Sequence, residues 1–115
     1  MAFTELEHKR IEKLVGEFIE TRRPRPEIRD QVDLGFRIEG HNVEIYEIRP
    51  YWEDEIRKIE EKVARATYIR TRDKWKIFWM RADLRWHGYK PNLEVDRIDD
   101  FLKVVERDEY RCFWG

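Results

Sequence analysis

The sequence predicts an α+β domain, a five-stranded antiparallel meander sheet with an N-terminal and a C-terminal helix. Three observations carry that reading. Apolar residues recur at helical spacing from Thr4 to about Thr21 and again from Asp96 to about Asp108. Between them, stretches of period two are separated by turn residues, as strands are. Trp75 to Met80 is apolar at both phases, with Trp75, Ile77 and Trp79 on one face and Phe78 and Met80 on the other. Such a strand is usually interior, with something packed on each side, so the sheet is expected to centre there.

Taken in order, Thr4 and Glu7 make a capping box at the start of the first helix. Ile11, Leu14, Val15, Phe18 and Ile19 form its stripe. Gly16 weakens it by about 1 kcal/mol relative to alanine, and a close approach to the sheet would account for the glycine. Pro24 and Pro26 end the helix. From Gln31 to Glu39, Val32, Leu34, Phe36 and Ile38 alternate with Asp33, Gly35, Arg37 and Glu39, a half-buried strand. Gly40-His41 suits a two-residue type II′ turn. The next strand, Asn42 to Arg49, starts with Val43 and Ile45 on the core phase and then puts Glu47 and Arg49 there. Either a bulge shifts the register or charge turns inward, and the cost of burying charge favours the bulge.

Pro50 is expected to close that strand. The stretch 51–62 reads as a short helix face through Ile56, Ile59 and Val63, or as a charged loop. Val63 to Thr71 is a third strand, and Arg72-Asp73 a turn. A tight reversal at Arg81–Leu84 would divide strands 74–80 and 85–90, one long strand being the alternative. Lys90-Pro91-Asn92 breaks the sheet. Asp96 is read as the cap of the second helix, with Asp99 in its first turn and Ile98, Phe101, Leu102 and Val105 as its stripe. The aromatic tail Tyr110–Trp114 is expected to dock on the core.

A length of 115 residues bounds the chain to one domain, residues 1–115. Charged residues make up 43%, but an aromatic fraction of 14% argues against disorder, and a net charge of −1 points to a solvated surface of mixed sign. The single cysteine, Cys112, excludes an internal disulfide. No apolar run approaches the ~20 residues of a membrane span, and the acidic N-terminus lacks a signal peptide's apolar core. A cytoplasmic protein without membrane contact is expected.

Four motifs taken together resemble a bacterial family of small proteins known only as a domain of unknown function. They are Glu47-Ile-Arg-Pro-Tyr-Trp52, Trp75-Lys-Ile-Phe-Trp79, Trp86-His-Gly-Tyr89 and Phe113-Trp-Gly115. The resemblance covers nearly the whole chain. The family's Asn-Gly type of turn stands where this chain has Asp83-Leu84, which favours the hairpin. The resemblance implies a single domain and brings no activity, substrate or cofactor.

The residues themselves suggest chemistry. Between Arg65 and Lys90 there are eight Lys and Arg against two acids, whereas Glu94 to Glu109 holds seven acids against three bases. A basic, aromatic sheet surface fits single-stranded nucleic acid, with cations for phosphates and rings for bases. The candidates are Arg70, Lys74, Lys76, Trp79, Arg81, Arg85, Trp86, His87 and Tyr89. A second constellation, Glu47, Arg49, Arg81 and Asp83, reads as a structural polar cluster. A third, Asp33 with Glu47-x-Arg49, is similar to the carboxylate layout of metal-dependent nucleases, but arginine stands where lysine would, and the two acids fall on opposite phases. No Cys or His spacing matches a zinc site, the chain has no serine, and there is no Gly-rich phosphate loop. No cofactor or metal is expected. The leading expectation is a small non-enzymatic binding or interaction module. The alternatives are a nuclease-like enzyme using Asp33 and Glu47, or a protein-interaction subunit, such as a homodimer joined by a sheet edge.

Overall fold

The computed structural model describes residues 3–115. Helix α1 (Glu5–Arg22) leads into strands β1 (Asp33–Glu39), β2 (Asn42–Tyr51), β3 (Asp54–Ile69), β4 (Lys74–Met80) and β5 (Trp86–Gly88). A short β6 (Glu94–Val95) and helix α2 (Ile98–Arg107) follow. The order β1-β2-β3-β4-β5 is an antiparallel meander, with β6 added against the other end of β4. The fold is α+β, as the periodicities predict.

The capping box is present: the Glu7 N–H donates to Thr4 Oγ1 at 3.2 Å and the Thr4 N–H to Glu7 Oε1 at 2.9 Å. Ile11, Val15 and Ile19 are buried, with Leu14 and Phe18 packed at their margin. Gly16 faces the Phe36 ring, where a Cβ would lie 3.9 Å away. That is ordinary contact, so the approach to the sheet is looser than the glycine suggests. The tight approach is at Gly35. Any Cβ there would come within 2.7 Å of the Tyr46 ring across the strand, so the ring occupies the space a side chain would need. The β1–β2 turn has positive φ at Gly40 alone, consistent with type II′.

Three expectations are corrected. First, 51–62 is neither helix nor loop. Strand β2 runs on through Pro50 to Tyr51 and β3 starts at Asp54, so the two form a long hairpin arm. Its charged surface hid the strand, because this part has no core face. Pro50 lies beyond the last β1 pair, Asp33 with Ile48, where β2 has one neighbour and a strand tolerates proline. Second, a bulge exists but sits in β3. Ile45 pairs with Ala64 and Tyr46 with Lys62, leaving Val63 as the extra residue, and both Val63 and Ala64 are buried. Strand β2 keeps its phase, so Glu47 and Arg49 remain on the helix-side phase, past the last core residue, Ile45. Third, Asp96 does not cap α2. The cap position is Arg97, without a side-chain bond, while Asp96 pairs with Lys74. Asp99 and Asp100 occupy the first turn, where acidic charge suits the helix dipole.

The core is one layer between the helices and one face of the sheet. Leu34, Val43, Ile45, Ala64, Ala66, Trp75 and Ile77 share that face and are buried with the stripes of both helices. No strand residue of the opposite phase is buried. Strand β4 is therefore interior to the sheet but covered on one side only, and its second apolar phase, Phe78 and Met80, faces outward. The tail docks as expected. Phe113 is buried against Tyr89 with ring centroids 4.8 Å apart, and Trp114 Nε1 donates to the Val105 carbonyl at 3.0 Å under the Arg22 guanidinium.

Candidate binding surface

Strand alternation and the register divide the nucleic-acid candidates between two faces and one turn. Lys74, Lys76 and Trp86 lie on the uncovered face. Lys76 pairs in register with Thr67 and Glu94, and Trp86 with Met80. Arg81 and Arg85 flank the β4–β5 turn, where the Arg81 N–H donates to the Arg85 carbonyl and Leu84 takes a positive φ. The turn is thus a true reversal. The other four are on the helix side. Arg70 donates to Glu7 at 3.0 Å. Trp79 packs at the core margin, with the Arg81 guanidinium 5.4 Å from its ring. His87 lies 2.8 Å from Asp83. Tyr89 is 2% exposed, so it presents no ring to a ligand, and burial pushes its phenol upward.

The uncovered face collects other side chains beside Trp86. Lys62 Nζ is 5.9 Å from its ring and the Arg65 guanidinium 6.0 Å. Phe78, paired with Arg65 and Gly88, and Met80 complete a half-exposed apolar strip. Tyr46 lies further along, under the Arg37 guanidinium at 4.7 Å. The cations are only partly neutralised. Lys62 reaches Glu44 at 3.4 Å, Arg65 bonds the neutral Asn42 amide at 3.2 Å, and Arg37 pairs with Glu60. Sequence reasoning missed Lys62 because it fell in the stretch 51–62, read as a helix face or a charged loop and not as a strand. Arg65 was legible, since it alternates with Ala64 and Ala66.

The polar constellation separates into two. Glu47 meets Arg49 at 3.3 Å, and Arg49 reaches Glu61 at 3.8 Å. Asp83 bonds His87 and the Arg85 N–H, which lowers its carboxyl pKa, with His87 the largest cause. Asp33 and Glu47 do not converge. Asp33 pairs with Ile48 and Leu34 with Glu47, so the two carboxylates point to opposite faces. Asp33 is held by both Nε and Nη2 of Arg23 at 2.8 Å. Among the described residues no group of three or more His, Cys, Asp or Glu could hold a metal ion. Burial raises the Cys112 thiol.

The Arg23–Asp33 fork ties the end of α1 to the start of β1, with side chains only 26% and 18% exposed. Arg23 holds the Asp33 carboxyl below its ordinary 3.8. A depressed folded pKa means that the contribution is complete above 3.8 and is lost as the pH falls through the folded value. Asp33→Ala is expected to cost about 1–3 kcal/mol at neutral pH, in the range of charged hydrogen bonds. The difference from wild type should shrink in acid melts, and a difference unchanged by pH would show the fork to be incidental.

The family model described as Domain of unknown function (DUF3024) matches residues 3–115. The chain belongs to that family. The DUF3024 match spans both helices, the arm and the docked tail. No curated protein and no solved structure matches the chain. No helix among the described residues of this DUF3024 domain is long and apolar enough to cross a membrane.

Proposed function

We propose that this domain is a non-enzymatic binding module whose uncovered sheet face takes single-stranded nucleic acid. The observation that carries the reading is Trp86, half-exposed beside Phe78 and Met80, with Lys62 and Arg65 of β3 both within 6.0 Å of its ring. A base stacks on an indole whatever its identity, and the neighbouring cations meet the phosphates that flank it. Lys76 extends the positive strip.

With about three or four phosphate contacts, binding is expected to be weak and salt-dependent, with log K falling by about 0.7 per contact for each unit of log salt. Trp86→Ala should weaken binding by about 1–3 kcal/mol, and Arg65→Ala should lower the salt slope by about 0.7. Quenching of tryptophan fluorescence by single-stranded DNA and RNA oligomers at low salt measures both. No binding to either, or binding indifferent to Trp86→Ala, rejects the reading.

A further inference from the structure

We propose that the hairpin arm pairs with a second copy of this chain, edge to edge, through β3 residues 57–61. Residues Lys58–Lys62 pair with β2 on one side only, because β4 begins its pairing at Ala64. Their other edge presents unpaired backbone groups, which is a template for another strand. Charges on an edge ordinarily guard against such pairing, but the order of signs here fits one register. A twofold axis normal to the sheet keeps the faces of both copies aligned. An antiparallel pair must then set one residue opposite its own copy. Centred on Lys58, the pairing opposes Lys58 to itself and Glu55 to Glu61. Centred on Glu60, it opposes Lys58 to Lys62. Centred on Ile59, it places Arg57 opposite Glu61, Lys58 opposite Glu60 and Ile59 opposite Ile59, so each charge within 57–61 meets its opposite.

The same register accounts for two apolar side chains left in solvent. Ile56 is 91% exposed and Leu84 81%. Centring on Ile59 sets the partner's Ile56 opposite Lys62, at a groove of about 440 Å³ lined by Glu60, Glu61, Lys62, Met80 and Leu84. The occupant of the groove is thus a side chain of the chain itself. The groove shares Lys62 and Met80 with the face proposed for nucleic acid, so dimerisation is measured in the absence of nucleic acid.

Sedimentation of the full chain across a concentration series should show a monomer–dimer equilibrium. Arg57→Glu or Glu61→Arg alone should raise the dissociation constant about tenfold, which is about 1.4 kcal/mol. The double exchange should return it to the wild-type value, because the opposed charges are complementary again. In a Cys112→Ala background, Ile59→Cys should form an intermolecular disulfide on mild oxidation, since directly opposed residues lie within disulfide reach, and Lys58→Cys should do so far less. A chain that stays monomeric throughout overturns the proposal. So does a dimer indifferent to the single reversals, a double exchange that fails to restore affinity, or cross-linking no better at position 59 than at 58.

Discussion

Phe101→Ala is expected to destabilise the domain by about 3–5 kcal/mol, the range for a large aromatic removed from a core. Phe101 is completely buried on α2. That helix packs against α1, β3, β4 and β6, so no single neighbour can move in to fill the space. Small domains have only about 5–15 kcal/mol of net stability, and this loss would consume a large part of it. A denaturant midpoint that falls at unchanged slope is the measurement. A loss below about 1 kcal/mol would mean that the site collapses around the smaller side chain.

The second large effect is expected at Asp108, where α2 ends. Its φ of 41° is left-handed, and its carboxylate accepts the backbone N–H groups of Phe113 at 3.0 Å and Trp114 at 2.9 Å. One side chain therefore stops the helix and turns the tail back onto the core. Asp108→Ala removes two bonds to a charged acceptor and puts a Cβ-bearing residue without polar compensation at positive φ. A cost of about 2–4 kcal/mol is expected. Asp108→Gly restores only the backbone and Asp108→Asn only part of the bonding, so stability should rank aspartate, asparagine, glycine, alanine. Thermal melts followed by tryptophan fluorescence would read it. Glycine equal to aspartate would show that the two tail bonds contribute nothing.

Legibility in the sequence followed the physics of cover. Where an element lies against the core, alternation or helical spacing placed it correctly, as for α1, β1, α2 and the β4–β5 hairpin. The arm carries no core face, so its residues obey no burial pattern, and Ile56 and Ile59 at spacing three imitated a helix. The bulge at Val63 could not be located, because two successive apolar residues also end an ordinary strand. The candidate surface was half legible for the same reason. Trp75 to Tyr89 was recognised as the centre, but aromatic rings on both phases do not reveal which face the helices take. Tyr89 is buried against the docked tail and Trp79 packs at the core margin, while Phe78 and Trp86 are left out.

The extra residue in β3 has a consequence for how the molecule opens. On its Ala64 side the strand has neighbours on both edges and buried side chains beneath it; on its Lys62 side it has one neighbour and no buried residue. Local opening free energy follows such differences in buried contact. One continuous strand of 16 residues thus belongs to two cooperative units that meet at Val63. The arm can fray and re-form many times while the body of the sheet stays closed.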